Sequence, residues 1–126
     1  MILGLGTDMI EIARIEHSVA RYGDAFLRRI YTPAEIAYCR QKKKNSAESF
    51  AARFAAKEAA AKALGTGIHR GIGWQDLEVT RKPGEAPQLR LHGRAAERAA
   101  QLGVTHISLS LTHTAETAIA VVIMER

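Results

Sequence analysis

Residues 46–65, SAESFAARFAAKEAAAKALG, decide the architecture. Alanine has the highest helix propensity, and neither glycine nor proline interrupts the run before Gly65. One long helix is predicted from about Ala47 to Leu64, opened by Ser46 and closed by Gly65. At about 100° per residue, Phe50, Phe54, Ala61 and Leu64 fall within roughly 80° of one another and define its core face. Glu58 and Lys62 lie on one edge of that face, Arg53 on the other, and Lys57 inside it. Border charges can snorkel, and Glu58–Lys62 at i,i+4 is an ordinary helix pair. A cation within an apolar stripe, however, needs an anion. Two basic residues with a glutamate and a basic edge also suit a phosphate with its metal.

Upstream, Ile2 to Ile12 is rich in β-branched and apolar residues and starts as a strand. Ala13 to Tyr22 is helical in pattern and stops at Gly23. Thr32-Pro33-Ala34-Glu35 is a helix start, with Thr32 as N-cap and Glu35 at the capping-box position. Lys42 to Lys44, with Asn45 and Ser46, forms a solvated loop. Downstream, Gly65-Thr66-Gly67 and Gly71-Ile72-Gly73 punctuate a loop whose backbone can approach a phosphate closely. Strands follow near Trp74–Arg81 and Gln88–His92, then a short helix from Gly93 to Leu102. Thr105–Leu111 and Thr117–Glu125 close the chain as an antiparallel pair. Strands and helices that do not alternate regularly indicate an α+β fold.

The 126 residues fit one domain, since domains commonly hold about 100–150 residues. A hydrophobic fraction of 47% can build a core, although so small a monomer leaves much surface unburied and gains from association. Cys39 is the single cysteine, which excludes an internal disulfide. The apolar N-terminus lacks a basic leader, and no stretch approaches the roughly 20 apolar residues of a membrane span, so a cytoplasmic protein is expected. A net charge of +5 favours polyanionic partners without choosing among nucleic acid, anionic lipid, an acidic protein and a phosphorylated cofactor. Only 6% of residues are aromatic and no nucleic-acid motif is present, which argues against a nucleic-acid module.

Several positions carry candidate chemistry. Asp8 lies in an apolar run, where a carboxylate is costly unless it is paired or holds a metal. It also reads as a turn cap after Gly4-Leu5-Gly6. His113, in Ser110-Leu111-Thr112-His113-Thr114, sits at the turn between the last two strands, able to donate to an anion or simply to face solvent. No zinc-type spacing and no serine–histidine–acid arrangement is present. The glycines match neither a dinucleotide-binding nor a Walker pattern. Arg14, Arg21 and Arg28 recur every seven residues, a stripe that Gly23 interrupts, with Arg29 adding to the patch. The stripe is either a solvated face or a seat for an acidic protein.

Together these residues resemble a known family. Residues 4–15, Gly-Leu-Gly-Thr-Asp-Met-Ile-Glu-Ile-Ala-Arg-Ile, are similar to the N-terminal signature of the short 4′-phosphopantetheinyl transferases, the holo-acyl-carrier-protein synthases. Residues 50–65 resemble the second signature, and 107–114 with 118–122 the closing hairpin. The resemblance implies a small antiparallel sheet packed with a long central helix. It implies transfer of 4′-phosphopantetheine from coenzyme A to a serine of acyl carrier protein, within fatty acid biosynthesis. It makes Asp8 and Glu58 ligands of Mg2+, and Lys62 a phosphate contact that assists proton transfer. Arg53, Lys57 and His113 become coenzyme A contacts, with Gly65 and Thr66 nearby. Arg14, Arg21 and Arg28 become the face for the carrier's acidic helix. A homotrimer with sites between subunits is implied as well, with no nucleic acid or membrane partner. Ser18 and Asp24 stand where some relatives carry apolar or basic residues. Ile10 stands where the larger, carrier-tolerant branch has a third acid, which matches the small trimeric branch.

Overall fold

The long helix is central in a computed structural model that describes residues 1–126. The first strand, β1 (Ile2–Glu11), leads into α1 (Ile12–Tyr22), α2 (Asp24–Ile30), α3 (Pro33–Gln41) and the central α4 (Ser46–Ala63). After a 3-10 turn at Trp74–Asp76 come β2 (Leu77–Thr80), β3 (Gln88–Leu91), α5 (Gly93–Leu102), β4 (His106–His113) and β5 (Thr117–Glu125). An antiparallel sheet of order β1-β5-β4 packs on one side of α4, and β2 pairs with β3 separately. The α+β class and the long central helix are as expected.

Glycine and alanine let the sheet meet the helix backbone to backbone. A Cβ at Gly4 would collide with the Ala63 carbonyl, and one at Gly6 with the Ala59 carbonyl. The sheet alternates with period two. Gly4, Gly6, Asp8 and Ile10 face α4, in register with Met124, Val122, Ala120 and Ala118 of β5. Leu5, Thr7 and Met9 share the outer face with Ile123, Val121 and Ile119.

Four local readings change. The core face of α4 is not an 80° arc, because α3 and β2 cover the side that the sheet does not, and Ala51, Ala52, Ala55, Ala56 and Ala59 are buried too. Asn45, not Ser46, takes the N-cap position, without a side-chain hydrogen bond. The strand expected from Trp74 starts only at Leu77, because Asp76 Oδ2 accepts from Gly73 N at 3.1 Å and holds a 3-10 turn. Chain reversal at Gly23 begins a separate helix, α2, that was not anticipated. The predicted Thr32 cap does form, with Glu35 N donating to Thr32 Oγ1 at 3.2 Å and Thr32 N to Glu35 Oε1 at 2.9 Å.

Candidate active site

Asp8, Glu58 and Lys62 are brought together by the β1–α4 contact. Asp8 lies within β1, its side chain 17% exposed, so the turn-cap reading is discarded. Lys62 Nζ donates to Asp8 Oδ1 at 3.1 Å and to the Thr7 carbonyl at 3.0 Å. Glu58 stands one turn earlier on α4. Burial pushes its carboxyl above the usual range, the neighbouring Asp8 charge pushes the same way, and Lys62 opposes both. Two carboxylates thus share one half-dry edge with one ammonium, which is half exposed. No third carboxylate, histidine or cysteine completes a larger ligand cluster. Such a donor set suits a hard cation that keeps several waters and takes its other oxygens from phosphates.

Lys57 belongs elsewhere, and its reading as a coenzyme A contact is corrected. It is fully buried, and its ammonium donates to Glu35 Oε1 at 2.7 Å, the Leu77 carbonyl at 2.8 Å and the Trp74 carbonyl at 3.0 Å. All three donors are therefore taken within the chain. Burial lowers its pKa, and the Glu35 charge and hydrogen bond restore part of the loss. Removing one partner of such a pair costs about 3–5 kcal/mol. The anion that Lys57 required is thus the protein's own. Glu35 also accepts from Val79 N at 2.9 Å, so one carboxylate ties α3, α4 and β2 together. The sequence flagged Glu35 only as a capping residue, and a helix-start motif carries no information about a partner on another helix.

Arg53 is buried on the same side of α4, its guanidinium 4.1 Å from the centre of the Tyr38 ring. Its Nε is buried and has no hydrogen-bond partner, unlike the fully paired Lys57 ammonium. Gly65, at φ 78, closes α4 in a left-handed conformation suited to glycine. Thr66 is buried, and its hydroxyl donates to the Gly67 carbonyl at 2.9 Å. His113 is the last residue of β4 rather than part of a turn, and its Nδ1 lies 3.8 Å from Glu48 Oε2. About 15 Å of helix separates Glu48 from Glu58, so His113 does not join the Asp8 cluster of its own chain. Arg14 and Arg21 lie two turns apart on the exposed side of α1. Arg28 is on α2 beyond Gly23, 3.9 Å from Asp24.

Comparison with known proteins agrees over the whole chain. Residues 4–122 match the model of the 4′-phosphopantetheinyl transferase superfamily. The holo-[acyl-carrier-protein] synthase of Koribacter versatilis is 56% identical over 99% of each chain, and that of Solibacter usitatus 54% over the same shares. The crystal structure of the Neisseria meningitidis holo-[acyl-carrier-protein] synthase superposes with a TM-score of 0.89 at 35% identity, over the full length of both chains. The Helicobacter pylori enzyme, solved in complex with coenzyme A, gives 0.83 at 36% identity, over 96% of this chain and 99% of that one. With its glycine-bearing first strand, alanine-packed central helix and shared carboxylate edge, this chain belongs to the holo-acyl-carrier-protein synthase family of the 4′-phosphopantetheinyl transferase superfamily.

Proposed function

We propose that this chain transfers the 4′-phosphopantetheine group of coenzyme A to a serine of apo-acyl carrier protein, releasing adenosine 3′,5′-bisphosphate. The convergence of Asp8, Glu58 and Lys62 on one edge carries this reading. The carrier's serine oxygen bonds to the β-phosphorus as the bond to the bridging oxygen breaks; the electron pair leaves with the 5′-phosphate of adenosine 3′,5′-bisphosphate, and the serine proton passes to solvent water. The chain needs no nucleophile of its own, and its single cysteine is not activated. Burial pushes the Cys39 thiol up to about 12, which leaves it protonated and inert at neutral pH.

Phosphoryl transfer depends on positioning and charge neutralisation. Asp8 and Glu58 would hold Mg2+, which when bound neutralises charge on the pyrophosphate oxygens. Lys62, fixed by Asp8 and the Thr7 carbonyl, keeps one of its three donors for a phosphate oxygen and assists proton transfer. Arg53, Gly65, Thr66 and His113 remain coenzyme A contacts. Their separation within one chain supports a cofactor bound between two copies. The outer sheet face, with Leu5 60% and Met9 69% exposed beside Val121, supports a homotrimer that covers it. Arg14, Arg21 and Arg28 receive the carrier's acidic helix, and the work belongs to cytoplasmic fatty acid biosynthesis. Apo-carrier protein, coenzyme A and Mg2+ incubated with the enzyme should yield a carrier heavier by one phosphopantetheine in a mass spectrum. An unchanged carrier mass would refute the proposal.

A further inference from the structure

We infer that the loop after α4 and one face of α5 form a second oxyanion site, apart from the Asp8 edge, that takes a phosphate-type dianion. A cavity of about 130 Å³ is lined there by Thr66, Arg70, Ile72, Arg94, Arg98 and Gln101. Arg94, Arg98 and Gln101 follow one another at four and three residues along α5 and so share a face. Arg70, itself at φ 61, comes from the loop after α4 rather than from α5. Three arginines therefore line one small cavity.

Their pairing is incomplete. Arg94 bonds Glu97 at 3.1 Å, but that carboxylate is 64% exposed. Neither Arg70 nor Arg98 has a carboxylate partner. Arg98 Nε donates to the Leu64 carbonyl at 3.1 Å, which satisfies the end of α4 and fixes the guanidinium in place. Its two terminal nitrogens stay available. The loop backbone runs against Arg94, whose Cγ would lie 3.4 Å from a methyl group at Gly71. Buried Ile72 supplies the apolar part of the lining. Like charges lining one cavity repel, and a dianion relieves that repulsion. Planar guanidinium forks match the oxygens of a phosphate. The glycine-punctuated loop, which in sequence allowed close approach to a phosphate, thus finds its place here rather than at the carboxylate edge.

The site stands on its own geometry, whichever reaction the Asp8 edge performs. Phosphate chemistry has two sources, free inorganic phosphate and the 3′-phosphate of a nucleotide such as coenzyme A. Sodium phosphate titrated into the full chain, with chloride balancing ionic strength, should give a saturable shift of the Arg98 Nε–Hε resonance. Arg70→Gln alters an exposed side chain and should weaken that binding about tenfold or more, with an unchanged melting curve. Arg94→Gln is a second variant with the same expectation. A shift that chloride alone reproduces, or unaltered phosphate binding by both folded variants, would overturn the site. Comparing coenzyme A with its 3′-dephospho form separates the sources. If Arg70→Gln abolishes the preference for coenzyme A, the 3′-phosphate is the occupant. If the preference survives while phosphate affinity falls, the occupant is free phosphate.

Discussion

Asp8 and Glu58 owe their unusual position to neighbours with almost no side chain. Because Gly4 and Gly6 let β1 touch the backbone of α4, a carboxylate two residues further along the strand meets one on the helix. Asp8→Asn and Glu58→Gln should each lower turnover by about 10²-fold or more, since a metal supplies several kcal/mol of charge stabilisation. They should also abolish the rise in melting temperature on adding Mg2+ while preserving the circular dichroism spectrum. A folded variant with near-normal transfer would remove that residue from the site. Glu78 offers a separate test of the fold's electrostatics. Burial pushes its carboxyl up, but hydrogen bonds from Thr32 Oγ1 at 2.6 Å and from His92, helped by the His92 and Lys57 charges, outweigh burial and hold it below the usual range. A folded value below the unfolded one contributes stability above the ordinary carboxylate range, and that stability is lost as pH falls through the folded value. Glu78→Gln should therefore cost more stability near pH 7 than at an acid pH below the ordinary carboxylate range. Urea denaturation at both pH values checks this, and an equal loss at both would contradict it.

The first two helices show how an element's boundary changes the meaning of a pattern. A seven-residue arginine repeat reads as one stripe in sequence, but Gly23 turns the chain and leaves only Arg14 and Arg21 on a common helix. Arg28, 72% exposed, is partly balanced by Asp24, which also bonds Arg40 at 2.6 Å. Exposed charges contribute little singly and act at range mainly at low salt. Arg14→Ala with Arg21→Ala should raise the Michaelis constant for carrier protein about three- to tenfold at low ionic strength, and less at high salt. The constant for coenzyme A should barely move. Measuring both constants at two salt concentrations decides the matter, and a selective loss of coenzyme A affinity would reassign the stripe to the cofactor.

At the scale of the molecule, one sheet face packs on α4 and the other meets no part of the chain. That face carries Leu5, Met9, Ile119, Val121 and Ile123, an apolar row that suits a protein partner. Sedimentation equilibrium should return three times the chain mass at micromolar concentration. Val121→Glu, at the middle of the face, should shift the protein toward monomer and reduce coenzyme A binding with it. A fully active wild-type monomer would sink both the trimer and the shared site.

Much of this was legible in the residues themselves. Local signals determined the long alanine-rich helix, the Thr32 capping box, the Gly65 stop, α5 and the last strand, because propensity, capping and period two act over a few neighbours. The motifs at residues 4–15, 50–65 and 107–114 likewise carried the family resemblance, since their spacing survives in the chain order. Only the tertiary structure decided which charges meet. Lys57 and Glu58 are adjacent in sequence, yet about 100° of helical rotation turns one into a sealed pair with Glu35 and the other toward Asp8. Nothing near Lys57 in sequence announces Glu35, because that partner arrives from another helix. The cavity shared by Arg70, Arg94 and Arg98 is hidden for the same reason. Helical phase belongs to the sequence, whereas the identity of what packs on each face belongs to the fold.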